Sequence, residues 1–144
     1  CFWGIEEKFL SHRGVLDTEV GYIGGITSDP TYHDVCSGET GHAEAVRVKF
    51  DEDLVSYEEL VNLFFKIHDP TTLNRQGPDI GTQYRSEIFC LDDDQYLIAD
   101  GIKRNFNKEV YDDKIVTSIS MADNFWIAEE YHQKYVRKKK NMIF

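Results

Sequence analysis

The stretch AEAVRVKF, residues Ala43–Phe50, sets Val46, Val48 and Phe50 on one side of an extended chain and Arg47 and Lys49 on the other. That is the period of a strand with one covered face. Shortly afterwards Ser56-Tyr57-Glu58-Glu59 forms a capping box. It opens a helix whose Leu60, Leu63, Phe64 and Ile67 recur at helical spacing, and Pro70 stops it. A half-buried strand joined closely to an amphipathic helix restricts the fold to classes in which helices cover a sheet.

The rest of the chain repeats this alternation. Residues 4–12 predict a helix with Ile5, Phe9 and Leu10 on its apolar stripe, Glu6 and Glu7 early, His12 and Arg13 late, and Gly14 as its stop. Residues 15–22 read as a strand running into Gly24-Gly25, and residues 29–32 begin a loop. A long loop is expected over 71–81, then a strand over 84–91, a helix over 92–107, a strand over 115–120 and a helix over 126–138. The expected class is α/β (α+β), a two-layer sandwich of a mixed sheet with packed helices and a ferredoxin-like core.

At 144 residues, without an internal repeat or a Pro/Gly/Ser-rich linker, the chain suits one domain spanning 1–144. Its net charge of −10 argues against a nucleic-acid partner, because phosphate binding needs concentrated positive charge. The run Arg137-Lys138-Lys139-Lys140 reads as a solvated helix end favoured by the helix dipole. No apolar run approaches the roughly 20 residues of a membrane span, so no membrane partner is expected. The cysteines are Cys1, Cys36 and Cys90, an odd number with no C-x-x-C pair. They fit a reducing, cytoplasmic setting, with Cys36 and Cys90 expected to be buried apolar residues.

Three stretches carry candidate chemistry. In CFWGIEEKFL, Cys1 stands where a helix begins, and a thiolate there is stabilised by unpaired N–H groups and the positive dipole end. The plainer reading is a small buried residue, with Phe2 and Trp3 as core; an aromatic cage beside a reactive sulfur explains all three together. In TYHDVCSGETGHAEAV (31–46), alternation puts Glu44 on the inward face of its strand. Burial would neutralise it into a general acid, the alternative being a surface residue at a strand end. His42 and His68-Asp69 have no zinc-site spacing, so no metal is expected. NRQGPDIGTQYR (74–85) is polar and Gly-rich but lacks a phosphate-loop signature, and turn chemistry suffices for Gly21, Gly24 and Gly25.

Taken together, CFWG at 1–4, GHAEAV at 41–46 and DIGTQYRS at 79–86 resemble the A-type peptide-methionine sulfoxide reductases, which act on the S epimer. GYIGG at 21–25, PTYHDVCSG at 30–38, HDPTTLNRQG at 68–77 and AEEYHQKY at 128–135 agree, in order, over nearly the whole chain. The family pattern has a glycine and a strand upstream of the cysteine. That strand is expected to be missing from the 1–144 domain, as is a C-terminal resolving segment.

The resemblance implies Cys1 as nucleophile, Glu44 as proton donor, and the hydroxyls of Tyr32 and Tyr84 as further donors to the sulfoxide oxygen. It implies Phe2 and Trp3 as the holders of the S-methyl group, with Asp79 and His132 near the substrate. Cys1 would become a sulfenic acid as methionine leaves. The implied substrate is free or protein-bound methionine sulfoxide. No cofactor is needed beyond an external thiol such as thioredoxin or dithiothreitol. Three routes remain for reducing the sulfenic acid: direct attack by that thiol, a resolving cysteine elsewhere, or a fused B-type reductase domain. Rival readings are a lipid-anchored, non-catalytic methionine-binding module and a thiol peroxidase.

Overall fold

Helix α1 (Phe2–Leu10) buries Phe2, Glu6 and Phe9, one stripe at helical spacing. The computed structural model describes residues 2–141; Cys1 and residues 142–144 lie outside them. After α1 come β1 (Val15–Ile23), a short helix α2 (Tyr32–Cys36), β2 (Ala43–Phe50) and α3 (Tyr57–Ile67). A small hairpin of β3 (Arg75–Gln76) and β4 (Asp79–Ile80) leads through a 3-10 turn, Thr82–Tyr84, into β5 (Glu87–Cys90). Helix α4 (Asp93–Glu109), β6 (Ser118–Met121), β7 (Trp126–Ile127), a second 3-10 turn, Glu130–His132, and α5 (Tyr135–Asn141) complete the order.

The strands pair in two ways. In the antiparallel sheet β1 lies between β2 and β7, with Tyr22 opposite both Glu44 and Trp126. Gly21 faces the main chain of β7, and a Cβ there would collide with the Trp126 carbonyl and the Phe125 ring. The parallel pair β5–β6 is joined through α4, a βαβ unit. Helices thus cover sheets, the expected α/β class.

Three apolar clusters hold the layers together. Phe2, Val20, Tyr22, Val35 and Ala128 pack below the first turn of α1. Phe9, Val55 and Leu60 join α1 to α3, with Val46, Val48, Leu63, Phe64 and Ile67 against them. Val61, Phe65, Cys90, Ala99, Phe106 and Ile115 fill the space between α3, α4 and β5. Among the described residues β2 pairs only with β1, and β5 only with β6. A cavity of about 560 Å³ lies between them, lined by consecutive residues 43–48 and 83–89. A strand presents consecutive residues along its edge, whereas one face offers only alternate ones. Two strand edges therefore look at each other across this space.

Several boundaries depart from the sequence expectation. The first helix begins at Phe2 rather than at residue 4 and ends at Leu10 rather than at 12. Residues 32–36, expected as loop, form α2, because Thr31 and Asp34 make a reciprocal capping box. The strand expected over 84–91 is confined to Glu87–Cys90, with Tyr84 in the 3-10 turn, and that over 115–120 becomes Ser118–Met121. The helix expected over 126–138 is broken into β7, a 3-10 turn and α5. Lys134 adopts φ +51°, which an α-helix does not allow. Cys36 is also corrected: it is exposed, since neighbouring Val35 takes the buried position of α2, while Cys90 is buried as expected. The basic run lies on α5, where Arg137 and Lys140 reach Glu7 and Lys138 reaches Glu130.

Candidate active site

Glu44 is the second residue of β2, facing Tyr22 across the ladder. Its Oε1 accepts the backbone N–H of Phe2 at 3.2 Å. Burial pushes the carboxyl up to about 7, the Phe2 N–H working against this and the negative charge of Asp79 with it. Near neutral pH a substantial fraction therefore carries a proton. Cys1, which precedes Phe2 in the chain, lies outside the described residues.

Two phenols share this neighbourhood. The Tyr32 hydroxyl is held above its ordinary value by the neighbouring Cys36 side chain, by burial, and by Tyr84 and Glu44 nearby. Burial, then the charge of Glu44, pushes Tyr84 up to about 12. Both remain protonated donors at neutral pH. Glu129 fixes the first of them from below. It accepts the Tyr32 N–H and the Tyr22 hydroxyl, each at 2.9 Å. Despite burial, those two bonds help hold it below the ordinary carboxylate value. Asp79 lies close enough to raise Glu44 and Tyr84.

The remaining candidates form an aromatic cluster. Trp3 donates its indole Nε1–H to His132 Nδ1 at 3.0 Å and stacks on Tyr135, centroids 3.8 Å apart. The His132 ring also packs against Phe2, Tyr32 and Tyr131, at 5.4, 4.6 and 4.2 Å. The structure thus gathers Phe2, Trp3, Tyr32 and His132 into one cluster, and Glu44, Asp79, Tyr32 and Tyr84 within electrostatic reach of one another.

Other polar groups have structural partners instead. His42 joins Gly25 N–H to the Thr27 carbonyl, and His68 bridges the Phe64 carbonyl and Ser86. Among the described residues no group of three His, Cys, Asp or Glu could hold a metal. Glu129, Tyr131 and Tyr135 escaped the sequence reading as site residues, although the motif AEEYHQKY contains all three. A continuous helix was expected there, which would bring Tyr131 and Tyr135 to one face but turn Glu129 away from them.

An α/β fold that gathers a carboxyl pushed up to about 7, two protonated phenols and a cluster of packed aromatic rings has the make-up of an enzyme site for a ligand with both a polar and an apolar part. Comparison with known proteins agrees. The sequence model of the family described as peptide methionine sulfoxide reductase matches residues 1–143. The peptide methionine sulfoxide reductase MsrA of Methanothermobacter thermautotrophicus is 53% identical over 139 residues, covering 96% of this chain and 82% of the relative. The crystal structure of Saccharomyces cerevisiae Mxr1 in its reduced form superposes with a TM-score of 0.92 at 39% identity, over 97% of this chain and 81% of that one. Methionine sulfoxide reductase A of Corynebacterium diphtheriae also gives 0.92, at 38% identity, over 97% and 71%. The chain belongs to the peptide methionine sulfoxide reductase family, in its A-type branch. It is an enzyme that reduces methionine sulfoxide and so repairs oxidised proteins. Neither the lipid-anchored binding module nor the thiol peroxidase is favoured by these comparisons. Among the described residues no helix is long and apolar enough to cross a membrane.

Proposed function

We propose that Cys1 is the nucleophile and Glu44 the acid in reduction of the S epimer of free or protein-bound methionine sulfoxide. The Cys1 sulfur attacks the sulfoxide sulfur while Glu44 protonates the oxygen, assisted by the Tyr32 and Tyr84 hydroxyls. Oxygen then passes from the methionine sulfur to the cysteine sulfur: the transient S–S bond and the original S–O bond break, a Cys1 S–O bond forms, and with the proton from Glu44 the product is a sulfenic acid. Methionine, reduced by two electrons, departs. A thiol donor such as thioredoxin or dithiothreitol then returns two electrons: its two thiols become a disulfide, the oxygen leaves as water, and no prosthetic group enters this sequence.

Phe2 and Trp3 hold the S-methyl group, and Asp79 and His132 complete the surroundings. The opposite epimer would press oxygen onto aromatic carbon, a mispairing of about 1–3 kcal/mol or more. The single observation supporting this reading most is the Phe2 N–H to Glu44 bond. It sets an acid poised at about 7 one residue from Cys1. The test compares turnover of the S and R sulfoxides and of hydrogen peroxide. Selective turnover of the S sulfoxide is expected; equal use of both epimers, or faster peroxide turnover, overturns the reading.

The same reading takes 1–144 as one catalytic domain whose sheet accepts one more strand, from a segment upstream of Cys1. The facing edges of β2 and β5 support it. A cytoplasmic setting suits a free nucleophilic thiol.

A further inference from the structure

We infer that Glu129 is a positioning residue that takes up the Tyr22 hydroxyl and so keeps this donor off the Glu44 carboxyl lying across the ladder from it. The consequence for turnover rests on Glu44 being the acid, as proposed above.

Tyr22 and Glu44 are Cα partners in the antiparallel pair of β1 and β2. Residues opposite one another in such a pair share a face, with Cβ atoms about 4.5–5.5 Å apart. The Tyr22 side chain is fully buried, and the charge of Glu44 acts on its phenol. A buried hydroxyl needs an acceptor, and the carboxyl opposite offers two oxygens. Were the O–H to go there, it would favour the charged form of Glu44 and remove the proton the acid has to give. Glu44 already accepts one donor, the Phe2 N–H at 3.2 Å. A second would add to that effect.

The hydroxyl goes to Glu129 instead, at 2.9 Å. That carboxylate is held through both oxygens: Oε1 accepts the Tyr22 O–H and Oε2 the Tyr32 N–H, also at 2.9 Å. The backbone beside it is fixed to the strand that carries Tyr22, since Ala128 donates its N–H to the Val20 carbonyl at 3.0 Å. The Tyr22 ring itself packs with Phe2, Val35 and Ala128 in one buried cluster. Acceptor, strand and ring are thus tied to one another on the side of the sheet away from β2.

Charge decides between the two acceptors. Despite burial, the Tyr32 N–H and the Tyr22 hydroxyl help hold Glu129 below the ordinary carboxylate value, whereas burial pushes Glu44 up to about 7. Near neutral pH a phenol bonds more strongly to the carboxylate that is fully ionised. The titratable groups whose charge acts on Tyr22 are Glu129, Glu44 and Tyr131, while its partners in the cluster are apolar. Those around Glu44 are Asp79 of β4, Tyr84 of the 3-10 turn, Tyr32 of α2 and Tyr22 itself.

The experiment titrates the Glu44 carboxyl by carbon-13 NMR and follows kcat/KM for a methionine S-sulfoxide peptide over the same pH range. In Glu129→Gln the amide gives a hydrogen of its own to the Tyr22 oxygen, which frees the phenolic proton for Glu44. The Glu44 midpoint should fall by about one pH unit, a tenfold loss of proton affinity, and the decline in rate should move with it. Tyr22→Phe alone, lacking the hydroxyl, should leave the midpoint where it stands in the wild type. Added to Glu129→Gln, it should restore that value. An unmoved midpoint in Glu129→Gln overturns the inference, and so does a shift that persists in the double variant, which would mark the lost Glu129 charge as its cause. If Glu129→Gln does not fold, Tyr22→Phe decides by itself: an unmoved Glu44 midpoint is expected, and a displaced one overturns the inference. Failure of the acid assignment looks different, because the NMR midpoint would then shift while the rate profile stayed in place.

Discussion

The main-chain N–H of Phe2 and the carboxylate Oε1 of Glu44 are hydrogen-bonded at 3.2 Å, tying the start of α1 to the start of β2 across 42 positions of sequence. The bond fixes the Glu44 carboxyl relative to the residue next to Cys1. It also keeps the carboxyl from rising further, because the N–H favours the charged form.

Replacing Glu44 with glutamine keeps the shape and removes the transferable proton. Reduction of the S-sulfoxide should slow by about 10²–10⁴-fold, the usual worth of a positioned acid. The protonated form is lost as pH rises through about 7, so the wild-type rate should fall over that range. Initial rates across neutral pH check this; a variant with wild-type rates removes Glu44 as the acid.

Glu44 should also leave a mark on stability. Its folded pKa of about 7 lies above the ordinary 4.5, so between those values the native state binds more protons than the unfolded chain. Stability should therefore decline as pH rises through that window, by on the order of 3 kcal/mol from this group. Urea midpoints measured through the window should show the slope in the wild type and a flatter one in Glu44→Gln.

The phenols offer a graded test. Tyr32→Phe and Tyr84→Phe each remove one donor near the carboxyl and should each lower kcat by up to about tenfold, with KM little changed. The double variant should lose more than either. Steady-state kinetics that move KM alone would reassign the tyrosines to binding.

Far from the site, Phe65 is fully buried and stacks on Phe106 with centroids 5.3 Å apart. Truncation to alanine should cost about 3–5 kcal/mol, read from the urea midpoint, while the folded fraction keeps its KM.

Single-turnover assays without added thiol address the fate of the sulfenic acid. Cys1→Ser should release no methionine. The wild type should release a single equivalent and stop, unless an internal cysteine resolves the intermediate. Cys36 is exposed, whereas Cys90 is buried, so any slow second phase should vanish in Cys36→Ser and survive in Cys90→Ser.

Much of this was legible in the chain. Strand Ala43–Phe50 was read with its bounds intact, because alternation and turn residues mark both ends. Glu44 was readable as inward-facing from the same period. What was not legible depends on long-range bonds: Gln133 takes the Val20 N–H and shares the Val20 carbonyl with the Ala128 N–H, and Lys134 gives its N–H to the buried Glu6 at 2.7 Å. Local periodicity over 126–138 contains no trace of either, so it reads as helix. Helix α2 was missed for the opposite reason. Its capping box was present in Thr31 and Asp34, but five residues are too few for an apolar stripe to repeat.

Trp3 with His132, Val20 with Gln133 and Glu6 with Lys134 all join positions more than a hundred residues apart. During translation the amino-terminal partner of each pair leaves the ribosome long before its counterpart exists. The nascent polypeptide can fold α1 and begin its sheet, yet Trp3 has neither His132 nor Tyr135 against it until residues 126–135 have emerged. A ribosome stalled before that point therefore carries an aromatic surface still lacking its backing.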